Sequence, residues 1–156
     1  MIHFPERTAG AIAAVAALAL LAVAPLARAT LGGTEATVEL DQAQMHGVLK
    51  TKRGARFSVH ELKADSRATV REYVAPSGVV FGVAWQGSSM PDLRQLLGPY
   101  FDQYLGAAAT RRTRRAPVVV VAPGLVVEST GHMRSFAGRA YLPQSMPPGV
   151  SPEDVQ

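Results

Sequence analysis

The chain contains no cysteine in its 156 residues. That excludes disulfides, thiolate nucleophiles, Cys-ligated metals and a lipid anchor on a cysteine. Histidine is sparse: there are four, and the three beyond residue 30 (His46, His60, His132) fall on separate segments. "HELKA" at 60–64 opens like a zinc-protease helix, but Ala64 stands where the second histidine belongs. The acidic spacing of a calcium loop is missing as well, so no metal is expected. Gly-x-Ser-x-Gly, Ser-x-x-Lys, a glycine-rich phosphate loop and a dinucleotide fingerprint are all missing, and no cofactor is expected.

Long apolar runs are also lacking, with one exception near the start. Residues 11–24 are Ala/Leu/Val-rich, Pro25 ends the run, and "ARA" at 27–29 supplies small residues where a signal peptidase reads. This pattern predicts a cleaved secretory signal over 1–29, since the run falls short of the roughly 20 residues needed to span a bilayer. No twin arginine precedes it, which favours export as an unfolded chain. The expected product is periplasmic or secreted, not a lipoprotein, with no transmembrane segment in the mature chain. Its net charge is mildly basic and gives no argument for nucleic acid, which the compartment also disfavours. Residues 30–142 are expected to form one domain, long enough to bury a core without disulfides.

Within that domain the pattern predicts an α+β fold: an antiparallel meander of about five strands packed by a kinked amphipathic helix, with a short N-terminal helix. The short helix is expected over 37–47, with Thr37 as N-cap and Gly47 as C-cap. A strand follows over 56–62. The stretch "TVREYVAPSGVVFGVAWQG" (69–87) reads as a hairpin around Pro76-Ser77-Gly78, a three-residue turn with a left-handed glycine. That turn implies Tyr73 opposite Phe81 and Arg71 opposite Val83. Both faces are mainly apolar, so the hairpin should be central and covered on both sides. Leu93, Leu96, Leu97, Tyr100, Phe101 and Tyr104 recur at helical spacing, interrupted by Gly98-Pro99. Ser89 and Asp92 have capping-box spacing ahead of them. Residues 106–117 look like a basic linker. The uncharged run 118–127, bracketed by Arg115 and Glu128, should be paired rather than left as an open edge. A further strand follows over 133–143, and 143–156 is a Pro-rich tail expected to be superficial or mobile.

Several of these segments occur in order: "ATLGG", "VHE", "REYVAPSGVVFGVAWQG", "PDLRQLLGPYF", "LVVESTGHM", "FAGRAYLP" and "PPGV". Together they resemble the family of small exported bacterial proteins known as domain of unknown function 2844, over essentially the whole mature chain. The resemblance implies an exported single domain. It carries over no activity, cofactor, partner or functional residue.

Candidate chemistry is thin. Glu128, Ser129 and His132 cluster near a hairpin end and are weak catalytic candidates against a reading as turn chemistry. Glu72 is a candidate ligand contact, lining a concavity floored by Gly82, or one of a carboxylate pair with Glu61, against a favoured structural reading in which it pairs with an arginine. Arg71, Tyr73, Phe81 and Trp85 are either an aromatic platform under a cation or core packing, and packing is favoured. Arg111, Arg112, Arg114 and Arg115 form a candidate polyanion contact or a solvated linker. The expected function is a non-enzymatic module that binds or assists another envelope or secreted protein. A periplasmic small-ligand carrier is the alternative, and a hydrolase with a Ser/His/Glu or paired-carboxylate site comes third.

Overall fold

The computed structural model of the protein describes residues 31–36, 38, 47–64, 67–109 and 117–156. Four strands come first: β1 (Val48–Arg53), β2 (Ser58–Lys63), β3 (Ala68–Val74) and β4 (Val80–Gly87). Helices α1 (Leu93–Leu97) and α2 (Phe101–Ala109) follow, joined by a 3-10 turn over Gly98–Tyr100. Strands β5 (Val118–Ala122), β6 (Leu125–His132) and β7 (Ser135–Tyr141) complete one seven-stranded sheet, in the order β1-β2-β3-β4-β7-β6-β5. Every pairing is antiparallel. Two meanders therefore meet at β4 and β7, and the helical segment carries the chain to the far edge before it returns.

The sheet has seven strands, not about five. The strand that patterning missed entirely is β1, whose "VLKTKR" sequence is mostly exposed because it lies at the sheet's edge and needs little apolar content. The 118–127 run supplies β5 and the start of β6 (125–127), and β5 is itself an edge, with Val119 and Val121 exposed. The short helix expected over 37–47 lies outside the described residues except for Val38 and Gly47. Most of the expected linker does too, although 106–109 continue α2.

One face of the sheet, the helical face, holds the larger core. Leu96 and Leu97, both fully buried, join Val70, Val83, Trp85, Val120, Leu125, Val127 and Ala140, with Tyr100, Phe101 and Tyr104 packed against them. The helix breaks at Gly98-Pro99 as the sequence predicts. It starts at Asp92 rather than Ser89: the Asp92 carboxylate accepts from the Arg94 and Gln95 backbone N–H groups at 2.8 and 3.3 Å.

The 76–78 turn forms as expected, with Gly78 at φ 81° and its N–H donating to the Ala75 carbonyl at 2.8 Å. The register beyond it is corrected by one residue. A bulge next to Val74 places Tyr73 opposite Gly82, Arg71 opposite Ala84 and Glu72 opposite Val83. Trp85 consequently lies on the helical face with Val70 and Glu72, and Tyr73 lies on the other.

That second face is covered by the C-terminal segment, which lies on the surface as expected but docks one side chain into the core. Val155 is fully buried among Tyr73, Phe81, Ala84 and Tyr141, with Phe57 at the edge of the cluster. The rings of Phe57, Tyr73 and Phe81 meet at centroid separations of 5.8 to 6.2 Å. Arg139 donates to the Pro152 carbonyl at 2.7 Å, and the Tyr73 hydroxyl donates to the Gln156 carbonyl. Among the described residues no helix is long and apolar enough to cross a membrane.

Candidate ligand-binding cleft

Antiparallel register lines up one residue from each strand across the helical face: Thr51, His60, Glu72, Val83, Ala140, Val127 and Val120. The last four are apolar, and the helices cover much of that half. The first three are polar, and two of them are buried, His60 at 5% exposure and Glu72 at 2%. Helices α1 and α2 pack toward the β5 side, so the β1–β2 half of this face is covered by the segment around 31–38 instead. That segment is tied down by backbone hydrogen bonds: Leu31 N–H to Leu96, Gly32 N–H to Val80 and Glu35 N–H to the Gly78 carbonyl of the hairpin turn. The turn thus fixes the position of Glu35.

Between this segment and β1–β2 lies a cleft of about 670 Å³ lined by Glu35, Ala36, Val38, Leu49, Thr51, Arg53 and His60. The His60 Nδ1 is 3.0 Å from Thr51 Oγ1, and its Nε2 is 3.4 Å from Glu35 Oε1. The carboxylate favours the tautomer with hydrogen on Nε2, which leaves Nδ1 to accept from the Thr51 hydroxyl. Thr51 and Glu35 are exposed; the imidazole between them is not.

Burial, the largest cause, pushes the His60 pKa below its ordinary 6.5; Glu35 opposes this and Arg53 adds to it. The folded state therefore binds fewer protons than the unfolded state just below pH 6.5. Stability that is full above that value is expected to fall as pH drops through it, down to the lowered folded pKa. Thermal unfolding of wild type and His60→Gln between pH 7.5 and 5 checks this. The wild type should lose more of its melting temperature on acidification; equal slopes would rule His60 out as the cause.

The other sequence candidates are dispersed. Glu72 lies beside His60 on the helical face, whereas Gly82 meets Val155 on the opposite face, so the concavity expected between Glu72 and Gly82 does not exist. Glu61 and Glu72 are no carboxylate pair either: Glu61 lies on the other face, 2.9 Å from the Arg71 guanidinium. Arg71, Tyr73, Phe81 and Trp85 form no shared platform. Tyr73, Phe81 and Trp85 are core residues, as the packing reading holds, but in two cores rather than one.

Glu128 is held 2.9 Å from Arg139, and His132 is exposed at the end of β6. Strand alternation points Ser129 to the face opposite both, so the three do not converge. Arg111, Arg112, Arg114 and Arg115 lie outside the described residues. Among those described, no group of three His, Asp or Glu side chains could hold a metal ion.

Sequence reasoning missed Thr51 and Glu35 and discounted His60. One signal was available: His60 is in phase with Leu62, which sits out of step with Phe57 and Val59 because both faces of β2 are partly buried. Glu35 carried no local signal, because backbone bonds from its segment to Leu96, Val80 and Gly78 bring it to His60.

Fold and cleft together define a one-sheet α+β domain, helices on one face and the C-terminal segment on the other, with a polar opening at one edge. The chain belongs to the family described as protein of unknown function (DUF2844), whose model matches residues 27–155. No curated protein and no solved structure matches it significantly.

Proposed function

We propose that this is an exported binding domain that holds a small amphipathic molecule in the cleft between β1–β2 and the segment around residue 35. The supporting observation is the row across the helical face. It is apolar where the helices cover it and turns polar toward the β1–β2 side, ending in His60 and Thr51 on the cleft wall. The volume falls within the range of small-molecule sites, and the lining combines an apolar wall (Ala36, Val38, Leu49) with a few polar groups. A ligand with one polar end would place it against Glu35, Thr51 and Arg53.

Thr51→Trp provides the test, because the position is exposed on an edge strand and the indole would fill the cleft. Small molecules extracted from the purified wild-type protein, added back at about 100 times their Kd, should stabilise it by about 2.7 kcal/mol. The variant should fold but show no such gain. An equal gain in both proteins would reject the cleft as the site. Sequencing the N-terminus of the exported form should find Thr30 first if the leader is removed as proposed.

A second reading, an accessory module for another envelope or secreted protein, is favoured by β5, the last strand of the sheet among the described residues, with its exposed Val119 and Val121. Cross-linked partners recovered in cells should be lost with Val121→Lys if an extended strand of the partner pairs there. Their retention would remove this reading.

A further inference from the structure

Thr51, His60 and Glu35 stand in the order hydroxyl, imidazole, carboxylate, with contacts of 3.0 and 3.4 Å. We propose that this relay makes Thr51 the nucleophile of an acyl-transfer reaction, with small esters as the substrate class. The inference rests on the cleft being the functional site and assigns it a reaction. Three features support it. Thr51 is an exposed residue on the cleft wall and the base behind it is buried, so substrate can approach Thr51 while the imidazole stays shielded from water. The register is direct: Thr51 and His60 are cross-strand partners, which fixes the hydroxyl over Nδ1 by backbone pairing. Arg53 lies two residues further along β1, on the same face and on the cleft wall, where a guanidinium can meet a developing oxyanion.

The Thr51 oxygen attacks the ester carbonyl carbon, and its proton passes to His60 Nδ1. The carbonyl electron pair moves onto the oxygen beside Arg53. Collapse of the tetrahedral species breaks the bond to the leaving alcohol, which takes the proton from Nδ1 and leaves an acyl-Thr51 ester. Water then attacks that ester, gives a proton to Nδ1, and releases the acid as the proton returns to Thr51. The sum is ester plus water giving acid plus alcohol. Glu35 is a positioning residue: it selects the tautomer and stabilises the imidazolium, and its 3.4 Å contact is of the kind that tightens as charge develops. The charged groups facing His60 are Glu35 and Arg53, with Glu72 beside it on β3.

The experiment uses the full mature protein and p-nitrophenyl acetate. Acid quenching followed by peptide mass spectrometry should find an acetyl group on Thr51. Turnover should fall at least ~100-fold in Thr51→Val and persist in Thr51→Ser. Glu35→Gln should move the pH–rate midpoint downward, because Glu35 raises the His60 pKa. Acetylation elsewhere, or equal turnover in Thr51→Val, would overturn the proposal. If ligand still binds the cleft while Thr51 stays unacylated, the relay is rejected and the binding reading stands. Loss of both would reject the cleft itself.

Discussion

Val155→Asp is expected to remove most of the protein's stability, although the position is one residue from the end of the sequence. The valine is fully buried, and its methyl groups lie against Gly82, where an added Cβ would come within 3.1 Å of them. Burying a valine contributes about 1.5–3 kcal/mol. An unpaired carboxylate in the same place adds a desolvation cost of several kcal/mol, against a total of about 5–15 kcal/mol for a domain of this kind. The segment would lift off, exposing Tyr73, Phe81 and Ala84 and freeing the Pro152 carbonyl from Arg139. Urea unfolding should show a midpoint far below the wild type, with Val155→Ala between the two at a loss of about 2 kcal/mol. An unchanged midpoint for Val155→Asp would mean that this segment does not close the core.

Gly138→Ala should also be strongly destabilising, for the opposite reason. Gly138 pairs with Trp85 across β7 and β4, and the indole lies over the bare Cα. A Cβ there would stand 2.3 Å from Trp85 Cζ2 and 2.6 Å from the Glu128 carbonyl oxygen. Trp85 is 2% exposed and cannot swing away, and the carbonyl belongs to the β6 backbone. Overpacking of this kind costs about 3 kcal/mol, or roughly a 10 °C drop in melting temperature for a domain of this size. Trp85 emission reports the transition directly. Gly106→Ala is the matched control, since nothing lies within 4 Å of its Cβ position in α2; the helix should gain about 0.5–1 kcal/mol. Equal melting temperatures for Gly138→Ala and wild type would refute the packing of Trp85 on Gly138.

The hairpin shows how far patterning reaches. Pro76, Ser77 and Gly78 specify the turn through local dihedral preferences, and the turn forms as they demand. The bulge beside Val74 has no comparable local signal. Its effect is to place both Phe81 and Gly82 on the second face, Phe81 against Phe57 and Tyr73 and Gly82 against Val155, between Val80 and Val83 under the helices. One extra residue then moved Trp85 and Tyr73 onto opposite faces and dissolved the expected platform. The docking of the C-terminal segment was hidden for a related reason: its prolines and polar residues describe a surface stretch of chain, and Val155, the one residue of it that is fully buried, has no periodicity to reveal it.

Local chemistry in the sequence determined the lack of thiol and phosphate-loop chemistry, the kinked helix, the central hairpin and the apolar stripes, since each depends on residues within a turn or two of one another. The tertiary structure alone decided the seven-strand order, the docking of Val155, and the meeting of Glu35, Thr51 and His60. Those depend on strand register and on backbone hydrogen bonds between distant segments, and a shift of one residue in register would have pointed Thr51 or His60 to the opposite face.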